Sequence, residues 1–197
     1  TEPPSSFVDK LRMLPKLAKL ASFAPKTVSR GACQEIVLKE PDLSILPYLK
    51  CWPGDRGPYI TLPIVITKDP DTGIRNVGTY RMQVFDSKTT GMHWQIHKGG
   101  SKHFQRFREL KRKIPVAVCL GGDPAYGYAA TAPMPDNVDE LLLAGFLRKK
   151  AVELVKCRTI DLEVPSDCDF VLEGYVDPME PLVKEGPFGD HTGYYSL

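Results

Sequence analysis

The sequence predicts a mainly β protein with flanking helices, an α+β class, from three observations. Sixteen glycines and eighteen prolines in 197 residues exceed the usual combined share of about 12% and point to many short strands and turns. Two clusters with hairpin-turn chemistry, "DPDTG" at 69–73 and "DSKTTG" at 86–91, separate β-rich runs. Helical stretches occur, but not in the regular alternation with strands that a doubly wound sheet requires. The expected architecture is therefore a closed or split β-barrel with helices on its flank.

Along the chain, residues 1–31 open with "TEPPSS" and continue with an apolar pattern at helical spacing, broken by Pro15 and Pro25. This predicts one or two short helices leading into the body as a linker segment. Thr1 in place of an initiating Met leads us to expect that something upstream has been removed. From residue 32 to 197 we expect one domain. "EIVLKEPDL" reads as a strand, and residues 59–97 as a three-stranded antiparallel meander. "SKHFQRFRELKRK" then reads as an amphipathic helix, "IPVAVCLGG" as a buried strand, and "MPDNVDELLLAGFLRKK" as a helix with Asp136 near its N-cap. "VELVKCRTIDLEVPSDCDFVLEGYVDP" returns to strands.

Composition narrows the function. A hydrophobic fraction of 42% supports a sizeable core. No apolar run reaches the roughly 18 to 20 residues needed to span a bilayer, and the N-terminus lacks the order of a secretion signal, so a cytoplasmic location is the default expectation. Five cysteines, odd in number and without a Cys-x-x-Cys pair, argue against a disulfide framework or a zinc site and for buried apolar use. The net charge of +2 argues against a protein built to coat nucleic acid. The basic stretch Lys102–Lys113 reads instead as a solvated helix that turns Phe104 and Phe107 inward.

Three groups of residues could carry chemistry. On neighbouring strands, Asn76 and Arg81 could meet His93, Gln95 or His97; Asn oxygen and His nitrogen with a carboxylate would suit a hard divalent ion, while hydrogen-bonded filler is the plainer alternative. Glu140 adjoins a leucine-rich face. It is either buried and paired or metal-bound, or exposed in a first helical turn where the dipole favours it. In "EGPFGDH", glycines and Pro187 could fold the chain tightly and present Glu185 and Asp190 to one cavity with an arginine, a set whose pKa values can be pushed apart. An ordinary turn is the competing reading.

Taken in order, "NVGTYRMQ", "GMHWQIHKGG", "VKCRTIDLEVP", "FVLEGYVDP" and "EGPFGDHTGYY" closely resemble the UbiD family of reversible decarboxylases, from roughly residue 30 to the end. The resemblance implies a domain like the flavin-reductase split β-barrel, with prenylated FMN held through its phosphate by a divalent metal, usually Mn²⁺ with Mg²⁺ an alternative, and a potassium ion nearby. It implies Asn76, His93 and Glu140 as metal ligands. Thr79, Tyr80, Arg81, His93, Trp94, Gln95, Lys98 and Gly99 match the cofactor-contacting segments. The implied catalytic set is Arg81, which orients the substrate carboxylate or the acidic side chains, Glu185, which holds the arginine and tunes its neighbour, and Asp190 as proton donor. The implied substrate is an aromatic, hydroxybenzoate-type acid of ubiquinone or menaquinone biosynthesis or of aromatic-acid metabolism. A flavin prenyltransferase would supply the cofactor, the longer protein would be a homo-oligomer, and a prenylated substrate would bring peripheral membrane association; no nucleic-acid partner is implied. Family members also carry N- and C-terminal domains beyond these motifs, so the 197 residues are expected to be inactive alone. A non-catalytic flavin-binding module is the alternative.

Overall fold

The computed structural model describes residues 15, 17–94, 99–135 and 138–196. In chain order the elements are β1 (Lys26–Thr27), β2 (Tyr59–Ile60), β3 (Ile64–Lys68), β4 (Arg75–Thr79), β5 (Met82–Val84), β6 (Thr90–Met92) and α1 (Gly99–Glu109). They continue with β7 (Ile114–Leu120), α2 (Pro124–Thr131), α3 (Glu140–Arg148), β8 (Glu153–Lys156), β9 (Glu163–Pro165), β10 (Phe170–Val176), β11 (Phe188–Gly189) and β12 (Tyr195–Ser196). No described helix is long and apolar enough to cross a membrane.

An antiparallel sheet in the order β10-β7-β3-β4 forms the centre. Side chains on a strand alternate between faces, and the register here, Ile64 opposite Cys119 and Val65 opposite Val118, sorts them into two cores. Ile64, Ile66, Ala117 and Cys119 pack with Tyr126 and Ala129 of α2 and Leu141 and Ala144 of α3. Val65, Val116 and Val118 pack on the other side with Tyr80, Met82 and Phe107. Smaller sheets surround this centre, in the orders β2-β5-β6, β1-β8-β9 and β11-β12. The α+β class holds. Among the described residues the strands lie in these separate sheets and do not close into a barrel.

The expected meander is corrected in one respect. Both hairpin turns form: Asp69 Oδ1 accepts from the amides of Asp71 and Thr72, and Asp86 Oδ1 from those of Lys88 and Thr89. The strands they join belong to two sheets, however, β3 with β4 and β5 with β6. Pro63 breaks the first run, since it has no N–H for a ladder. The second run breaks at Tyr80 and Arg81, where the chain leaves the central sheet, and Tyr80 is buried at 3% exposure with its hydroxyl accepting from Gly100 N at 3.0 Å.

Three other expectations change. "EIVLKEPDL" is not a strand: it holds two 3₁₀ turns at its borders, Ala32–Gln34 and Leu43–Ile45, and Ile36, Val37 and Leu38 are exposed, so no sheet face calls for their alternation. The N-cap of α3 is Asp139, whose side chain accepts from Leu141 N at 2.9 Å; Asp136 lies outside the described residues. The helix α2 was not anticipated, although "DP" at 123–124 is a start signal: Asp123 caps Ala125 N at 2.9 Å and Pro124 occupies the first turn. Ahead of residue 32, β1 already pairs in parallel with β8. The basic helix α1 buries Phe107 and sets Phe104 against Trp94. All five cysteines are free thiols, with Cys119 and Cys168 buried.

Leu141 is fully buried between α3 and the central sheet. Leu141→Ala is expected to lower unfolding free energy by about 2–5 kcal/mol, measured by denaturant titration. A second prediction concerns His103 of α1, buried with Nδ1 2.8 Å from Thr67 Oγ1 of β3. Burial holds its pKa below the ordinary 6.5, against the raising effect of Asp69. The unfolded chain therefore binds a proton that the folded chain refuses, and stability present above about 6.5 falls as pH drops below it. Melting temperature should decline between pH 7.5 and 5.5, and His103→Gln should flatten that decline.

Candidate functional site

The break between β4 and β5 places consecutive residues in two different surroundings. Tyr80 points into the core beside α1, while Arg81 enters the β2-β5-β6 sheet. Arg81 lies one step beyond the pairing of Met82 with Met92, and the amide of His93 donates to the Arg81 carbonyl at 3.1 Å. The expected meeting of Arg81 with His93 across neighbouring strands is thus present.

On the Arg81 side, the guanidinium grips Glu185 with two parallel bonds, Nε to Oε1 at 3.0 Å and Nη2 to Oε2 at 2.8 Å. Both side chains are largely withdrawn from water, at 13% and 8% exposure. Such a forked, desolvated pair is directional, and removing one partner strands a buried charge at a cost of about 3–5 kcal/mol. His93 Nδ1 stands 3.1 Å from Glu185 Oε2 and 3.4 Å from Arg81 Nη2. Arg81 Nη1 donates to Ser196 Oγ at 2.9 Å, and its Cζ lies 4.5 Å from the centre of the Phe188 ring. Four of these five guanidinium contacts come from the closing segment 185–196, and the fifth comes from His93, just past β6.

That segment folds as the turn its glycines predict. Gly186 adopts φ +99° and precedes a cis peptide to Pro187, a backbone region open to glycine and strained for other residues. Asp190 then heads the β11–β12 hairpin. Its Oδ1 accepts from both the amide and the ring Nδ1 of His191, each at 2.7 Å. These bonds, with a smaller contribution from the Arg81 charge, hold the Asp190 carboxyl below the ordinary carboxylate value. Its side chain is 32% exposed.

On the Tyr80 side, Glu140 begins α3 and its Oε2 accepts from Val77 N at 3.0 Å. Glu140 combines parts of both readings: it is half-buried and paired, yet it stands in the first turn of α3, and burial pushes its carboxyl up. The neighbouring Asn76 on β4 has a buried Nδ2 with no hydrogen-bond partner, an unsatisfied donor that has room for an acceptor. Gly99 opens α1 against this amide: a Cβ there would sit 1.9 Å from Asn76 Oδ1, so only glycine allows the approach. Tyr80 and Trp94 stack at 5.0 Å, tilted by 49°, over the same helix start. Thr79, half-buried, ends β4 opposite Ile64.

The structure therefore gathers the anticipated residues into two adjoining groups. Arg81, His93 and Glu185 form one with Asp190 at its margin; Asn76, Glu140, Tyr80, Trp94 and Gly99 form the other. His93, expected with the second group, has its Nδ1 turned to the first. Gln95 and Lys98 lie outside the described residues, as does His97. Among the described residues no three of the His, Cys, Asp and Glu side chains converge as a metal cluster; the oxygen donors on hand are the half-buried Asn76 and Glu140, a pair that suits a hard cation. Sequence reasoning missed Ser196 and Phe188 on Arg81, and Gln83, which shares a strand face with Arg81 two residues on. The period of two could have found Gln83; nothing in the sequence singles out Ser196.

Residues 26–197 match the family model for UbiD, the 3-octaprenyl-4-hydroxybenzoate carboxy-lyase Rift-related domain. An uncharacterized protein of Aquifex aeolicus is 52% identical over 196 residues, covering 99% of this chain and 40% of that one. The UbiD-class enzyme HmfF from Pelotomaculum thermopropionicum, solved with FMN, is 35% identical with a TM-score of 0.84 over 92% of this chain and 42% of its own; an evolved dimeric form of HmfF was solved with prFMN and is 36% identical, with a TM-score of 0.83 over 94% of this chain and 44% of its own. The vanillic acid decarboxylase of Sedimentibacter hydroxybenzoicus in its closed form is 30% identical, with a TM-score of 0.85 over 98% of this chain and 42% of its own. The chain spans about 40% of the length of the curated relatives it matches. With a family match that begins at β1 and runs through the Glu185–Asp190 turn, this chain belongs to the UbiD family, whose solved relatives include an enzyme bound to FMN or prFMN and a vanillic acid decarboxylase.

Proposed function

We propose that residues 32–197 are the cofactor-binding domain of a longer decarboxylase that uses prenylated FMN and a divalent metal, Mn²⁺ or Mg²⁺, to remove CO₂ from an aromatic, hydroxybenzoate-type acid. The observation that carries this reading is the buried, forked Arg81–Glu185 pair beside Asp190, set one residue from a second group whose buried Asn76 amide lacks a partner. The first group suits a reaction on a carboxylate; the second suits the anchoring of a phosphorylated cofactor. In this reading the central sheet and the β2-β5-β6 sheet are the halves of a flavin-binding split barrel. The likeness to HmfF with FMN and with prFMN supports the flavin, and the vanillic acid decarboxylase supports the aromatic acid.

Each residue has a defined task. Asn76 and Glu140 would hold the metal through oxygen, and Glu140 must lose its proton to do so. Of the two His93 nitrogens, Nε2 is the one not turned to Glu185 and Arg81, and is the atom through which it would join. Tyr80, Trp94 and Gly99 shape the wall over which the cofactor lies, with Thr79, Gln95 and Lys98 along its edge. Once bound, the modified flavin supplies the electron sink for loss of CO₂. Arg81 binds and orients the substrate carboxylate, and Glu185 fixes the guanidinium so that orientation costs no rearrangement. Asp190 then returns a proton from its carboxyl to the ring carbon that lost CO₂.

For that last step Asp190 has to be protonated, and its pairing with His191 in a partly exposed turn keeps it ionised at neutral pH. Cover over this edge by the rest of the longer protein would desolvate the carboxyl and raise its pKa. The same argument makes the 197 residues alone inactive. We further propose a cytoplasmic homo-oligomer supplied by a flavin prenyltransferase, with quinone-precursor acids as one substrate source.

The test is co-expression of the longer protein with a flavin prenyltransferase, followed by the absorbance spectrum and mass of the released cofactor and by CO₂ release from a panel of hydroxybenzoic acids. Prenylated FMN and turnover are expected; ordinary FMN or no flavin would overturn the reading. In the same protein Asp190→Asn should retain flavin and lower kcat by about 100-fold or more. Asn76→Leu should instead lower cofactor occupancy, by about tenfold or more in affinity, read by flavin absorbance after dialysis.

A further inference from the structure

Resting on that reading, we propose that Asp55 and Gln83, two buried polar residues outside the reacting groups, are positioning residues that fix the segment from Glu185 to Asp190. The two acids bracket four residues, Gly186 to Gly189, and each inner neighbour of an acid is pinned from outside the segment. Gly186 N, next to Glu185, donates to Gln83 Oε1 at 3.0 Å. Gly189 N, next to Asp190, donates to Asp55 Oδ1 at 2.8 Å. Between them the Pro187 carbonyl accepts from Arg56 N at 3.0 Å and from the Tyr59 hydroxyl at 3.4 Å. Phe188 packs edge-on against Tyr59 at 4.7 Å.

Burial makes these contacts costly to lose. Asp55 is 2% exposed and Gln83 4%, and a buried polar group without its partners pays its whole desolvation penalty. Asp55 spends its second oxygen on Trp52 N at 2.9 Å, which holds its own loop rigid while the first oxygen holds Gly189. Gln83 likewise takes the Tyr59 hydroxyl at 3.3 Å. The approach is close: a Cβ on Gly189 would lie 2.4 Å from Trp52 Cδ1. Each acid is thereby seated from the far side of its neighbour, Glu185 by β5 and Asp190 by the loop 52–57. Asp55→Asn keeps the shape but can accept from only one of the two amides, and Gln83→Met keeps the volume and removes the one oxygen that accepts both bonds.

The experiment uses the longer, flavin-loaded protein. Turnover is expressed per bound flavin, so that a loss of folded or loaded protein does not register. Asp55→Asn and Gln83→Met should each lower kcat per flavin by about 10–100-fold with KM within about twofold, the signature of misplaced reacting groups. Since both act on one segment, the double variant should lose less than the product of the two. Wild-type turnover with both single variants within twofold per bound flavin overturns the positioning role and leaves the decarboxylase reading intact. If the wild-type protein takes up no flavin, the decarboxylase reading fails, and hydrogen exchange decides the positioning role: peptides covering 185–190 should exchange about tenfold faster in Asp55→Asn, with 170–176 unchanged. Equal exchange overturns it. Should Asp55→Asn not fold, Gln83→Met carries both measurements alone.

Discussion

The forked bond between Arg81 and Glu185 is the constraint on which the rest of the site depends. It joins residues 104 positions apart, one on the sheet β2-β5-β6 and the other at the start of the closing turn. Because both partners are nearly dry, neither can exchange the other for water without a large penalty. Among the described residues the segment after Glu185 has two short strands, β11 and β12, paired with each other. Its place against the body comes from Arg81, from Ser196 returning to the same guanidinium, and from the loop 52–57 behind it. A positively charged group able to meet a substrate carboxylate is thus also the fastener of the segment that carries the acids.

The division of the site into two groups has a topological cause. Tyr80 and Arg81 are adjacent in sequence, and the chain changes sheets between β4 and β5. One side of that step is lined by the central sheet, α1 and the start of α3, where the dipoles of two helix N-termini favour an anion. The other side faces the closing turn. In the proposed reading, a cofactor with an anionic tail and a reactive ring would need both surroundings within one molecule's length, and the sheet change would supply them without a long loop.

Much of this was legible in the sequence, for reasons that differ by element. The hairpin turns at 69–73 and 86–91 were readable because an Asp side chain that accepts two amides leaves a local signature. The β7 strand was readable from its apolar run. The partition of residues 59–97 between sheets was not, because pairing partners such as Tyr59 and Gln83 are set by where the second sheet lies and not by any local pattern. Asn76 and Glu140 were separate candidates from strand pairing and from helix position, joined as one ligand set only through the family motifs; their contiguity comes from the packing of α3 on β4. The exposed Ile36–Leu38 stretch misled because β-propensity reports fit to a half-buried surface, and among the described residues that surface is not there.

Asp190 shows why a family motif and an isolated geometry can point to different protonation states without conflict. A carboxyl acts as an acid near neutral pH only when its charged form is disfavoured. Here the opposite holds: His191 donates twice to one oxygen, and water reaches the side chain. In the proposed reading, removal of water would shift that balance, and more chain over this edge would remove it by burial, since the Asp190 side chain is 32% exposed and the His191 imidazole 89%. The backbone need not move for this, because Gly189 is already fixed from behind by Asp55. A rigid turn whose side chains alone respond to closure would therefore keep the acid ionised and idle while the site is open, and protonated and aimed once it is closed.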